Sequence, residues 1–146
     1  MFADLINRLT APAPATLPDD DARLALTALL VRIARSDGDY DSDERARIDR
    51  IAATRYGLPP EEATALRGEA EALESEAPDT VRFTRAIKDA VAYEDRMGVI
   101  EALWSVVLAD GVRDPEEDSL LRLVSNLLGI SDRDSALARQ RVEARG

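Results

Sequence analysis

One pattern occurs twice in this chain, and it limits the possible folds more than any single segment does. "LTALLVRIARSDGDYDSDERARIDRI" (26–51) lies over "VIEALWSVVLADGVRDPEEDSLLRLV" (99–124) at a shift of 73 residues, the signature of an internally repeated unit. Leu30 falls on Leu103, Asp37 on Asp110, Gly38 on Gly111, Asp41 on Asp114 and Glu44 on Glu117, while Ile48 and Ile51 fall on Leu121 and Val124. Each copy reads as a buried helix, a D-G-x-x-D-x-x-E turn and an amphipathic helix. Each closes on a glycine-aliphatic pair, Gly57-Leu58 and Gly129-Ile130, the second one residue early. Two helical hairpins of one design predict an internal pseudo-two-fold arrangement.

The segments around the repeat are helical as well. "LALTALLVRIAR" (24–35) and "VIEALWSVVLA" (99–109) are apolar nearly all round, which predicts central helices. Ile48, Ile51 and Ala52 form a narrow stripe with Arg45, Arg47, Arg50 and Arg55 outside it, and that helix should end at Tyr56-Gly57 before Pro59 and Pro60. A helix with a thin apolar face follows over 60–76. Pro78-Asp79 opens the next, with Val81, Phe83, Ile87, Ala90 and Val91 turned inward. Residues 115–129 carry a wide face of Leu120, Leu121, Leu123, Val124, Leu127 and Leu128, and Ser131 or Asp132 caps a last helix reaching about Glu143. At the other end, Phe2, Leu5, Ile6 and Leu9 share one side of a short helical turn. "APAPATLP" (11–18) then interrupts the helix, since each Pro lacks a donor and biases its predecessor to extended geometry. The expectation is an all-α bundle of seven or eight helices. Residues 1–18 form an arm and Pro-rich linker, docked on the body or mobile, and residues 19–146 the domain.

Composition removes whole classes of chemistry. The chain has no Cys and no His, so thiolate and imidazole catalysis and the usual zinc sites are excluded. Any metal must be held by oxygen, which means a hard cation such as calcium, magnesium or manganese. The net charge of −10 repels phosphate backbones and anionic lipid, arguing against nucleic-acid binding. "MFADLINRLT" is too short and polar for a signal peptide, and no apolar run has transmembrane length. A soluble, cytoplasmic protein is expected, without membrane insertion.

The acidic turns have a structural reading first. Gly38 and Gly111 suit a left-handed helix end. Asp41 and Asp114 stand at N-cap positions, Pro115 at the favoured first helical position, and Glu44 and Glu117 where capping boxes close. Asp37 and Asp110 do not fit, because a carboxylate at a helix C-terminus opposes the macrodipole by a few tenths of a kcal/mol. There each points across the turn toward the acids that open the next helix. Crowded carboxylates raise one another's pKa unless a cation neutralises them, so Asp37, Asp41, Glu44, Asp110, Asp114 and Glu117 are the candidate metal or partner residues. The arrangement is not an EF-hand. Counted from Asp37, its sixth position is Ser42 and its twelfth Ile48, where Gly and a bidentate Glu belong, and the second copy has Val112 and Arg113 in place of alternating acids.

These residues carry a resemblance. The doubled D-G…E turn and the run "FTRAIKDAVAYEDRMGVIEALWSVVLADGVRDPEEDSLLRLVSNLLGISDRD" (83–134) resemble the tellurite-resistance TerB family over about residues 22–135. The resemblance implies an all-α fold of pseudo-symmetric helical hairpins. It also implies an acidic surface regarded as a divalent-metal site, comprising Asp37, Asp41, Glu44, Asp110, Asp114 and Glu117, with Glu94 and Asp95 of "YEDR" as neighbours. It implies no enzymatic activity, and it implies calcium-binding or membrane-protein partners of a tellurite-resistance system. Asp39, Tyr40 and Asp43 make the first turn more acidic and bulkier than that pattern needs.

Three functions are then weighed. The first is a non-enzymatic stress-associated scaffold whose paired turns hold a divalent cation and present a partner surface. The second is a metal-free acidic interaction module. The third, least favoured, is a carboxylate-dependent metallo-hydrolase, for which the sequence offers no nucleophile constellation and no Gly-rich phosphate loop. Trp104 is expected in the core with its N–H on a carbonyl, Tyr93 packed before Met97, and the arginines of 45–55 on a solvated face that balances nearby acids.

Overall fold

A computed structural model describes residues 2–9, 17–36, 40–109 and 115–145, the side chains of residues 8, 36, 116 and 117 excepted. Among them are eight helices and no strand: α1 (Ala3–Leu9), α2 (Asp19–Ser36), α3 (Ser42–Tyr56), α4 (Pro60–Glu76), α5 (Thr80–Ala90), α6 (Tyr93–Ala109), α7 (Pro115–Leu127) and α8 (Asp132–Arg145). The all-α bundle expected from periodicity is the one observed.

Local chemistry sets the boundaries. Asp41 caps α3 and Asp79 caps α5, each carboxylate accepting from the backbone N–H three residues on. Ser131, rather than Asp132, caps α8, accepting from Asp134 N at 3.1 Å. Pro60 opens α4 at a position where its missing donor costs nothing. Gly57 (φ 62°) and Gly129 (φ 72°) take the left-handed turn that ends α3 and follows α7.

Packing follows from the two apolar helices. Ala25, Leu26, Ala28, Leu29, Leu30 and Val31 of α2 are all buried, as are Val99, Ile100, Leu103 and Val106 of α6. Each large aliphatic removed from water contributes about 1.5–3 kcal/mol. α2 packs on α4 and also touches α3, α5, α6 and α7, whereas α6 packs on α8, α3 and α7. The halves therefore share the pairing of first helix with third. They differ elsewhere: α3 packs broadly on α6, while α7 meets α2 in one small contact. A two-fold relation between the halves is not established by these pairings.

The arm is docked. Leu5 and Leu9 of α1 are buried in the core, α1 packs on α5, and Leu17 is buried with its N–H on Ala90 O at 3.0 Å. Two expected core positions are on the surface instead. Val81 is 67% exposed, because the face of α5 is set by Phe83, Ile87 and Ala90, and two residues before Phe83 is roughly 200° round the helix. Leu123 is 42% exposed for the same reason. The buried stripe of α7 runs through Leu121 and Val124, continuing to Leu128 beyond its end, and is narrower than the leucine content suggests.

Candidate functional site

α2 is described to Ser36 and α6 to Ala109, and Asp37 and Asp110 come next in sequence. Asp37, Asp110 and Asp114 lie outside the described residues, as does the side chain of Glu117, whose backbone belongs to α7. Of the six candidates, Asp41 and Glu44 are described. Asp41 is exposed and extended (φ −93°, ψ −175°), and its Oδ1 accepts from Glu44 N at 3.0 Å. Its capping role is thus real. Glu44 is half-buried one turn into α3. Among the described residues no three acids converge as a metal site would require, and this covers only those two of the six.

Tyr40 anchors the turn. Its hydroxyl donates to Glu71 Oε2 on α4, and the guanidinium groups of Arg35 and Arg45 lie over its ring at 5.3 and 4.9 Å, a favourable placement against the π face. Burial, with the hydrogen bond to the Glu71 carboxylate next, pushes the Tyr40 phenol up to about 12. Glu71 also accepts from Arg67 Nη1 at 3.0 Å, and Arg67 Nε reaches Asp49 Oδ1 at 2.7 Å. Burial alone would lower the pKa of Arg67, but the hydrogen bond and charge of Asp49, with Glu71, outweigh it and raise it. One step further along α4, Glu74 is buried and takes Arg32 Nε at 2.6 Å and Arg35 Nη1 at 2.9 Å. Arg32 spends its other nitrogens on the carbonyls of Glu74 and Pro78. Tyr40 is therefore tied to α2 and α4 through its ring and a chain of charge-assisted hydrogen bonds, which are the stronger kind.

The sequence did not reveal these supports. A tyrosine inside an acidic turn was the available signal, since the chain has only three. Glu71 and Glu74 look like any glutamates on a helix rich in them.

Other expected residues fall elsewhere. Asp95 meets Arg55 at 3.5 Å, at the C-terminal end of α3. Arg55 is fourteen residues along α3 from Asp41, and Asp95 fourteen along α6 from Ala109, the last residue described before the second turn, roughly 20 Å in either case. Glu94 and Asp95 thus stand at the opposite ends of both helices from the turns, not beside them. Arg55 is half-buried rather than solvated: it lies over the Tyr56 ring and against Gly98, where any side chain would collide with its guanidinium. Arg45 and Arg50 are exposed, as expected. Trp104 is buried, but its Nε1–H goes to the Ser135 hydroxyl at 3.1 Å instead of a carbonyl. Tyr93 is 39% exposed and donates to Asp134 Oδ2. No helix among the described residues is long and apolar enough to cross a membrane.

A family model described as tellurite resistance protein TerB matches residues 23–140. No curated protein and no solved structure matches the chain. The matched region runs from the second turn of α2 into α8 and contains both acidic turns with every helix that supports them. By fold, by its doubled turn and by this match, the chain belongs to the TerB family of tellurite-resistance proteins.

Proposed function

We propose that this TerB-family protein is a non-enzymatic binding module whose two acidic turns together hold a divalent cation, calcium, magnesium or manganese, and present that surface to protein partners. The carrying observation is the course of α3 on α6. The two helices pack broadly, and the Arg55–Asp95 pair puts the C-terminal end of α3 at the N-terminal end of α6. Asp41 opens the other end of α3, and the second turn follows the other end of α6 in sequence, so an antiparallel course of the two helices would bring the turns together. Asp41, Glu44, Asp37, Asp110, Asp114 and Glu117 would supply oxygen ligands only, which suits a hard cation. The Tyr40 anchor supports the reading further, because a site held by packed side chains loses less freedom on binding. Cytoplasmic residence and partners among the calcium-binding or membrane proteins of a tellurite-resistance system belong to the same proposal.

Isothermal calorimetry with each of the three cations tests it. Saturable heat that disappears in Asp37→Asn and Asp110→Asn supports the reading; identical heats in wild type and both variants sink it. The second reading, a metal-free acidic surface for a basic partner, draws on the −10 charge. It requires partner capture that weakens steeply with salt and ignores chelator.

A further inference from the structure

A cleft of about 380 Å³ lies between α6, α7 and α8, away from the first turn and its anchor. Its walls include Trp104, Leu121, Ser125, Ser135, Ala136 and Arg139. Three polar groups there have bonding capacity that the fold does not use. Ser125 is 1% exposed and its hydroxyl has no hydrogen-bond partner, an arrangement that normally costs free energy and is rare in folded chains. Ser135 accepts the Trp104 indole N–H at 3.1 Å, which leaves its own O–H to donate. Arg139 lies over the Trp104 ring at 5.7 Å; its Nε is 3.5 Å from Glu143 Oε1 but makes no hydrogen bond. Arg122 and Arg139 line the cleft with Asp118 and Asp132, and Glu143 lies 3.5 Å from Arg139 Nε, so two guanidinium groups stand among the acids here.

We propose that this cleft binds a small organic carboxylate. Its oxygens would accept from Ser125, Ser135 and Arg139, and its apolar body would lie against Trp104 and Leu121. A carboxylate offers only acceptors, matching a set of two hydroxyl donors and one guanidinium N–H. The site is separate from the cation proposal and does not depend on it.

The chain has a single Trp, so the Trp104 indole N–H gives one resonance in a ¹H–¹⁵N spectrum and reports directly on Ser135. Benzoate is the probe and benzamide its neutral control. The expected result is a saturable shift of that resonance with benzoate, matched by calorimetric heat and much weaker with benzamide. Ser125→Ala should weaken benzoate about tenfold. Ala136→Leu, which narrows the cleft from an independent position, should abolish the shift while thermal melting stays cooperative. The proposal is overturned by no saturable shift or heat at millimolar benzoate, by equal binding of benzamide, or by unchanged affinity in Ala136→Leu.

Discussion

The first and third helices of each half meet at a seam, and the two seams are held by opposite means. Between α2 and α4 the central polar group is a buried carboxylate, Glu74, clamped by Arg32 and Arg35. Between α6 and α8 the carboxylate is on the first helix instead. Glu101 reaches Arg141 and Arg145, whose side chains are 45% and 64% exposed, and the buried link is the neutral one from Trp104 to Ser135. The same pairing of helices thus rests on an ion cluster around a buried carboxylate in one half and on apolar packing with one hydrogen bond in the other. A buried charge is tolerated only when fully partnered, so the first seam has the narrower tolerance for substitution.

That contrast can be broken from its strongest point. Glu74→Gln keeps the shape but leaves two guanidinium groups without their counter-charge, and should cost about 3 kcal/mol or more, read as a lower urea midpoint with unchanged slope. In the second seam, Ser135→Ala strands the Trp104 N–H in the core and should cost about 1–3 kcal/mol by the same measurement. A smaller effect is expected at the anchor of the first turn, where Tyr40→Phe removes one hydrogen bond, about 1 kcal/mol. The loss there should depend on pH. Folded Tyr40 keeps its proton to about 12, against an ordinary 10.0, so its contribution is complete below pH 10 and drains away as pH rises from 10 to 12. Tyr56, also pushed up to about 12 by burial, does the same. Tyr40→Phe should therefore show a shallower alkaline decline than wild type, not a flat one. Smallest of all, Glu101→Gln should change stability by less than about 1 kcal/mol, since its partners are exposed and screened. A cost at Glu101 equal to that at Glu74 would show that burial does not separate the seams.

The arm offers a test of the same kind. Leu9→Ala should destabilise by about 2–5 kcal/mol, as a buried leucine does, if α1 belongs to the core as its packing on α5 indicates. A loss within a few tenths of a kcal/mol would return the arm to the status of an appendage.

Much of this molecule was legible in one dimension because its signals are local. Helix periodicity, the prolines at 59 and 60, Gly57 and Gly129, and the acids at Asp41 and Asp79 each act within a turn or two and marked their boundaries, whereas for α8 the sequence left Ser131 and Asp132 open and the structure chose Ser131. The doubled D-G…E pattern carried the family. Where prediction missed, hydrophobicity or resemblance had been followed ahead of helix geometry. Val81 and Leu123 were assigned to the core by hydrophobicity, although the neighbouring helices leave those directions to solvent. Glu94 and Asp95 were grouped with the turns by the family resemblance, although the length of α6 separates them from one turn and that of α3 from the other. The sequence by itself determined an all-α chain of seven or eight helices, most of their ends and the doubled acidic pattern. Tertiary structure alone decided that Tyr40 would anchor the first turn through Glu71 and that Glu74 would take two arginines. It also opened a cleft beside Trp104, because each of these joins residues some thirty or more positions apart, a separation across which no local propensity acts.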